Sequence, residues 1–551
     1  MLTPNYYDRL TGDLVKLYSD LDNAIVSDIV RRLLKNGEIT DMARWQIQQL
    51  QESGMLYNDI LSEISSRTDA TQQQVRALFE DAGVQSIKND NVRYRAAGLE
   101  GIIKMSDSAL QVLNAGYEKC SGNLSNLTLT TANTAQQAYI TACNNAYMQI
   151  TSGAFDYNTA IRNAVKAAAT EGTEVLYPSG HRDKLDVAVR RAVLTGIGQT
   201  CRTLSETNAQ DMGCDLMEIT AHAGARPSHA EWQGQIVSLS GRRGYLSKDD
   251  IGYGTGDGFG GWNCRHDWYP FFEGVSSRAY SDSELEKLNE RNIEYNGEMY
   301  TEYEISQMQR KFERDIRSLK REAAAADTGR TNAQNDKLKQ QFDDDFTAVS
   351  VKLKEKERQL NDFLKQTGEL PDNARTQIMG FGRSVSQKAV AADKKAFVKS
   401  MKEKGIKNPP KSIAEFEKMM YTNPKEYDIM KSYIKSVDSG MLSPLTGYEK
   451  YKEYYERIEN EVIGMTAADG TIIKSQSKHF LERVFGTISD PLHEGVKRSG
   501  VELDDVIGCI KNGRYIPPKN PEKIKSVILA TDKCLVSINP KTGNLIQTTP
   551  Q

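Results

Sequence analysis

Apolar residues recur three and four positions apart over most of this chain, and no other feature constrains its fold as much. Such spacing builds long helices that bury one stripe and wet the rest. Over residues 13–35 the stripe is Leu14, Tyr18, Leu21, Ile25 and Ile29. It continues through MARWQIQQLQES, NDILSEISSR and TDATQQQVRALFEDAG, the last opening on a Thr or Asp cap and closing on Gly83. Residues 106–169 are rich in Ala, Thr and Asn, small side chains that allow close packing, and helix is expected there, continuous with a helix at 183–205. Ile305, Met308, Phe312, Ile316 and Leu319, then Phe342, Phe346, Val349, Leu353, Leu360 and Phe363, have coiled-coil-like spacing. The AAAADTGRTNAQND segment between them reads as the connection of an antiparallel hairpin.

At 551 residues the chain exceeds one compact core. Composition and pattern divide it into a helical region at 1–170, a core at 171–280, the hairpin region at 281–395, a Lys-rich, Pro-punctuated linker with short helices at 396–453, and an α+β domain at 454–551. In that last domain helices are expected at 454–463, 476–486 and 502–512, followed by strands in KSVILATD, CLVSINP and LIQTTP. The expected fold class is therefore multidomain and mainly α, with a small C-terminal α+β domain. A net charge of −3 over the whole length excludes a uniformly basic nucleic-acid binder and leaves only regional contacts. Seven cysteines without a CxxC pair fit reduced thiols made in a cytoplasm. With neither a signal-peptide layout nor a run of about eighteen apolar residues, no membrane anchor is expected.

Residues 222–272 break the helical pattern and concentrate chemistry: His222, His229, Cys264, His266, Trp232, Trp262 and a glycine cluster from Gly252 to Gly261. His222, His229, Cys264 and His266 supply the four N and S ligands that tetrahedral zinc takes, so a structural zinc is one reading. The spacing matches no standard finger, and Gly224 and Pro227 oppose a helix carrying both His222 and His229, so a cluster without metal stands beside it. The glycines of GYGTGDGFGG offer backbone N–H groups to a phosphate, but no GK[ST] follows, and a mobile loop is the simpler expectation. A hydrolase built on His222, His229, Asp257 and Ser228 lacks a strained-elbow motif and ranks last.

The runs HAGARPSHAEWQG, GYGTGDGFGGWNCRHDWYPFFEG and YTEYEISQMQRKFERDIRSLKRE resemble the phage minor capsid protein 2 family, related in role to Mu F-type head morphogenesis proteins, over roughly residues 1–390. The resemblance implies a low-copy virion protein at the portal vertex of the head. It would be made in the host cytoplasm and have the portal protein and other head proteins as partners. Phage DNA is a further partner to consider, and entry into the cell with the genome a further role. It also favours a structural role for the His and Cys cluster.

Residues 470–551 hold twelve Lys and Arg against eight Asp and Glu, a local surplus compatible with a phosphodiester substrate. In SKHFLER, His479 and Arg483 are four apart, placing an imidazole and a guanidinium on one helix face. For metal-free RNA cleavage a His takes the 2′-OH proton while a cation stabilises charge on phosphorus, leaving a 2′,3′-cyclic phosphate and requiring no cofactor. Lys478, Lys519, Ser537, Asn539, Lys541, Thr548 and Thr549 are candidates for substrate contact, and His493 is a weaker alternative base. The plain alternative is a surface helix whose His479 pairs with Glu482 or faces solvent. GVELDDVIGCIKNGR and INPKTGNLIQTTP, following the H-x3-R helix, resemble the barnase, EndoU, colicin E5 and D, and RelE-like group of small nucleases. Carried over, the resemblance makes His479 and Arg483 catalytic and Thr548 phosphate-contacting, with RNA as substrate and an immunity protein as a further partner to consider. The competing expectation is a purely structural protein whose last domain is an inactive docking module.

Overall fold

The computed structural model describes residues 6, 10, 12–35, 42–102, 104–171, 174–177, 179–378, 380–490, 496–516 and 526–551. The fold is multidomain and mainly α, with small sheets, and the chain forms two compact units, Met1–Val390 and Ala391–Gln551.

The first unit is built on α1 (Gly12–Lys35), α2 (Met42–Ala96), α3 (Asp107–Thr151) and α4 (Tyr157–Glu171). The antiparallel hairpin of β1 (Glu174–Leu176) and β2 (Arg182–Lys184) then leads into α5 (Leu185–Asp211). The stripe predicted on α1 is the one that buries: Leu14, Tyr18, Leu21, Ile25 and Ile29 join Val75, Phe79, Tyr139, Val193 and Ile197 in one apolar core. Ala132, Ala135, Ala142 and Ala146 are buried along α3, where their small side chains let it pack against α2 and α5. The continuous helix expected from 106 to 205 is interrupted twice. Gly153 takes φ 71°, a left-handed turn that stops α3, and the β1–β2 hairpin separates α4 from α5.

Beyond α5 the apolar period changes from helical to continuous. Strand β3 (Leu216–Ile219) is buried at every position and lies between β4 (Ile236–Ser238) and β5 (Trp268–Phe271), with Leu216 opposite both Ser238 and Phe271. A short helix α6 (Pro227–Ala230) stands between β3 and β4. The crossover at 239–267 folds over the sheet, and Ile251 and Phe259 from it are buried with Trp232 and Trp268.

The predicted hairpin is α7 (Glu302–Asn332) and α8 (Asp336–Thr367). Thr301 and Glu304 form a reciprocal capping box at the start of α7, Asn335 caps α8, and Gly368 at φ 76° ends it. The connection is much shorter than AAAADTGRTNAQND suggested. Ala323 to Ala326 are buried helix, and Gly329 brings α7 so close to α8 that an added Cβ would lie 2.7 Å from Phe342. Only 333–335 link the helices. Arg321 of α7 reaches Asp22 at 2.8 Å and Asp186 at 3.1 Å, tying the hairpin to α1 and α5.

The second unit begins inside α9 (Arg383–Glu403) and continues with α10 (Ile413–Thr422), α11 (Pro424–Asp438) and α12 (Tyr448–Arg457). These helices correct the reading of 396–453 as a linker: Ile406, Ile429, Tyr433 and Tyr451 share one buried core with Phe480, Val506, Leu529 and Val536. Lysines on the wet faces masked the stripe. Next come β6 (Ser475–Gln476), α13 (Lys478–Phe485), the hairpin of β7 (Gly486–Asp490) and β8 (Val496–Ser499), and α14 (Leu503–Asn512). Four strands close the chain: β9 (Arg514–Ile516), β10 (Val527–Ala530), β11 (Cys534–Asn539) and β12 (Asn544–Pro550). The sheet order is β9-β10-β11-β12-β6, antiparallel except for the parallel β12–β6 pair. Among the described residues no helix is long and apolar enough to cross a membrane.

Candidate functional site

In the first unit, α6 and the turn before β5 bring His229, Cys264 and His266 together, with one ligand atom of each within 4.8 Å of the others. His229 and His266 are buried and Cys264 is half-buried. Cys264 Sγ lies 3.7 Å from His266 Nδ1. The fourth sequence candidate, His222, is beside this group and not in it: its ring packs on His266 with centroids 4.4 Å apart, and its Nδ1 faces the Ala223 carbonyl at 2.8 Å.

The hydrogen bonds fix which nitrogen of each buried ring is free to act as a base. His229 Nε2 meets the Asp257 carbonyl at 2.8 Å, an atom that only accepts, so Nε2 carries the proton and Nδ1 the lone pair. Gln233 Oε1 accepts the backbone N–H of His222 at 3.2 Å, which assigns that atom as the oxygen. His266 Nε2, 3.3 Å from the same oxygen, must then donate to it, leaving the His266 lone pair on Nδ1, toward Cys264. Burial lowers the His229 pKa from 6.5 to about 4, against the opposing pull of the Asp257 carbonyl. His266 is driven well below its ordinary value by burial first, then by the facing His222 and His229. Both rings are neutral at neutral pH.

Arg202 of α5 holds the ligand-bearing turn from behind. It is buried, donates from Nε to the His266 carbonyl at 2.8 Å and from Nη2 to the Cys264 carbonyl at 3.3 Å, and its own carbonyl accepts from Trp268 Nε1 at 3.0 Å. Nothing in the helical stripe of α5 marks Arg202 or, further on, Gln233 as part of this site.

The glycine loop is bonded within itself, and the N–H groups it spends this way are not offered to a phosphate. Its N–H groups are spent on itself: Phe259 on the Ile251 carbonyl at 2.9 Å, Trp262 on Gly256 at 2.7 Å, Gly258 on Thr255 Oγ1 at 3.1 Å. The hydrolase reading fails as well. The Asp257 side chain is 90% exposed and His229 bonds its carbonyl, not its carboxylate, while Ser228 is exposed and His229 buried.

Residues 2–365 match the family described as phage minor capsid protein 2. The chain belongs to that family. A structural protein of Lactococcus phage LL-H is 25% identical over 322 residues, 55% of this chain and 83% of that one. A structural protein of Lactococcus phage mv4 is 42% identical over 85 residues, 15% of this chain and 59% of that one. No solved structure matches. The His and Cys group thus lies within the capsid-family part, and the match stops before the second unit.

In that second unit of this phage capsid-family chain, His479 sits on α13 with its side chain 54% exposed and its Nδ1 2.7 Å from Glu482 Oε2. The pairing expected of a plain surface helix is present, but Glu482 is buried, and its other oxygen accepts from Ser436 Oγ on α11 at 2.5 Å. A carboxylate fixed from two sides holds the ring through Nδ1. Ser436 comes from the segment read as a linker, which is why sequence reasoning missed it.

The other candidates are scattered. Arg483, four residues after His479, is buried, so the two do not form an open pair on one face. Thr548 is buried on β12 and donates its hydroxyl to the Leu535 carbonyl at 3.0 Å, a packing role in place of the expected phosphate contact. Ser537 is buried on β11, and Asn539 Oδ1 accepts from the Lys541 and Thr542 N–H groups at 3.0 and 3.2 Å to set the β11–β12 turn. Lys541 is exposed on that turn, Thr549 half-buried. The Lys478 side chain, Lys519 and His493 lie outside the described residues.

Proposed function

We propose that this minor capsid protein works at the portal vertex in head morphogenesis and that its second unit is a metal-independent, RNA-cleaving effector. The first part rests on the family match and takes the portal protein and other head proteins as partners. The observation that carries the second is the exposed His479 whose Nδ1 is held by a buried carboxylate. With Nδ1–H donated to Glu482, the lone pair lies on Nε2 of a half-exposed side chain and, in this reading, takes the proton of a 2′-OH. Glu482 stabilises the imidazolium that forms, and the imidazolium then gives its proton to the leaving 5′-oxygen.

Cationic charge for the phosphorus comes in this reading from two exposed lysines at one end of the β12–β6 pair. Lys541 stands on the β11–β12 turn, and Lys474 precedes β6 with its N–H on the Gly543 carbonyl at 2.8 Å. β6 leads directly into α13. Arg483 and Thr548 support the fold around the base.

Full-length protein incubated with RNA in chelator tests this. The wild type is expected to cleave, and His479→Ala to lose about 10²–10⁴-fold in rate, the range of general-base catalysis. Absence of cleavage, or cleavage unchanged in His479→Ala, would leave the second unit as a docking module of the virion.

A further inference from the structure

The convergence of His229, Cys264 and His266 carries a second assignment, independent of RNA cleavage. We infer that these three residues bind one zinc ion, through Nδ1 of each imidazole and the Cys264 thiolate, with the fourth position open to water or to a group from another protein.

Three observations support it. Zinc bonded to sulfur at about 2.3 Å and nitrogen at about 2.05 Å in a tetrahedron sets those two atoms about 3.6 Å apart. Cys264 Sγ and His266 Nδ1 are 3.7 Å apart. Next, each imidazole has its other nitrogen tied to an oxygen acceptor, Asp257 O or Gln233 Oε1, the outer-shell arrangement that orients metal-binding histidines. Finally, one ring nitrogen from each histidine and the Cys264 sulfur lie within 4.8 Å of one another in a largely buried space. A thiol proton can serve only one of two imidazole acceptors, whereas a cation serves all three donors at once. Two imidazoles and a thiolate are the donor set of zinc, and exclude calcium and magnesium, which take oxygen.

Binding releases the Cys264 proton to solvent and changes no oxidation state. Its structural effect is to pin α6 to the turn before β5, closing the 239–267 crossover over the sheet. His222 packs against the outer ring and is not a ligand.

The test uses the full chain, purified without added metal, assayed for zinc by elemental mass spectrometry, then stripped and titrated with Zn²⁺ alone and Co²⁺ alone. One zinc per chain is expected, and the Co²⁺ form should show tetrahedral d–d absorption with a thiolate-to-cobalt charge-transfer band. Cys264→Ser, folded by circular dichroism, should lose that band. Gln233→Ala should weaken Zn²⁺ binding by about 10–100-fold, and His222→Ala should keep full stoichiometry. Wild-type protein that takes up no stoichiometric Zn²⁺, a charge-transfer band that survives Cys264→Ser, or loss of zinc in His222→Ala would each overturn the three-ligand assignment. The wild-type Co²⁺ spectrum decides even if a variant does not fold. RNA cleavage in chelator is unaffected whichever way it falls.

Discussion

At Gly258 an added Cβ would stand 2.0 Å from the Gly252 carbonyl oxygen, and at Gly261 one would stand 2.1 Å from that of Gly256. Gly258 and Gly261 therefore let backbone approach backbone. Gly258→Ala is expected to lower unfolding free energy by about 1–3 kcal/mol, the range for overpacking a tight site, read by denaturant unfolding; an unchanged midpoint would contradict it. The sequence displays His229, Cys264 and His266 as an unusual cluster, yet it shows neither which three converge nor what orients them. Tautomers depend on Asp257 O and Gln233 Oε1, and the turn itself on Arg202, which reaches the Cys264 and His266 carbonyls across more than sixty positions of chain. No local spacing encodes such contacts. The same holds for His479, whose partner Glu482 is visible three residues away but whose burial under Ser436 is not.

Among elements, those with a strong period were legible. The α1 stripe and the α7–α8 hairpin follow their apolar spacing, because a stripe that repeats over many turns has one face to bury. The failures have two physical causes. Alanine runs carry no period, so Ala323 to Ala326 read as a loop although they are buried helix. Lysine-rich composition describes only the wet side of α10 to α12, whose buried side holds Ile429, Tyr433 and Tyr451. The crossover between β4 and β5 is the element that zinc would govern. Stripping metal with a chelator is expected to speed amide hydrogen exchange over residues 251–266 while leaving the α7–α8 hairpin unchanged. Equal exchange in both states would show that the loop holds itself without the ion.

For the whole molecule, two units have separate cores: a capsid-family unit that ends before the α9 helix is complete, and a second unit that the family match does not reach. The division into a helical part and a final α+β part was readable from the change of period near the C-terminus, but the second unit recruits the helices ahead of it as well. A chain ending at Val390 is accordingly expected to enter virions, detected by immunoblot of purified particles, because the family match lies in that part; its absence from particles would place the packaging determinant in the second unit. The central claim, that the second unit cuts RNA through His479, is tested most directly by analysing product ends. Full-length protein in chelator is given one oligonucleotide as RNA and as its DNA counterpart, and the ends are read by mass spectrometry. Cleavage of the RNA alone, with 2′,3′-cyclic phosphate ends that vanish in His479→Ala, is the predicted result; intact RNA, or cleavage of both strands to 5′-phosphate ends, would contradict it.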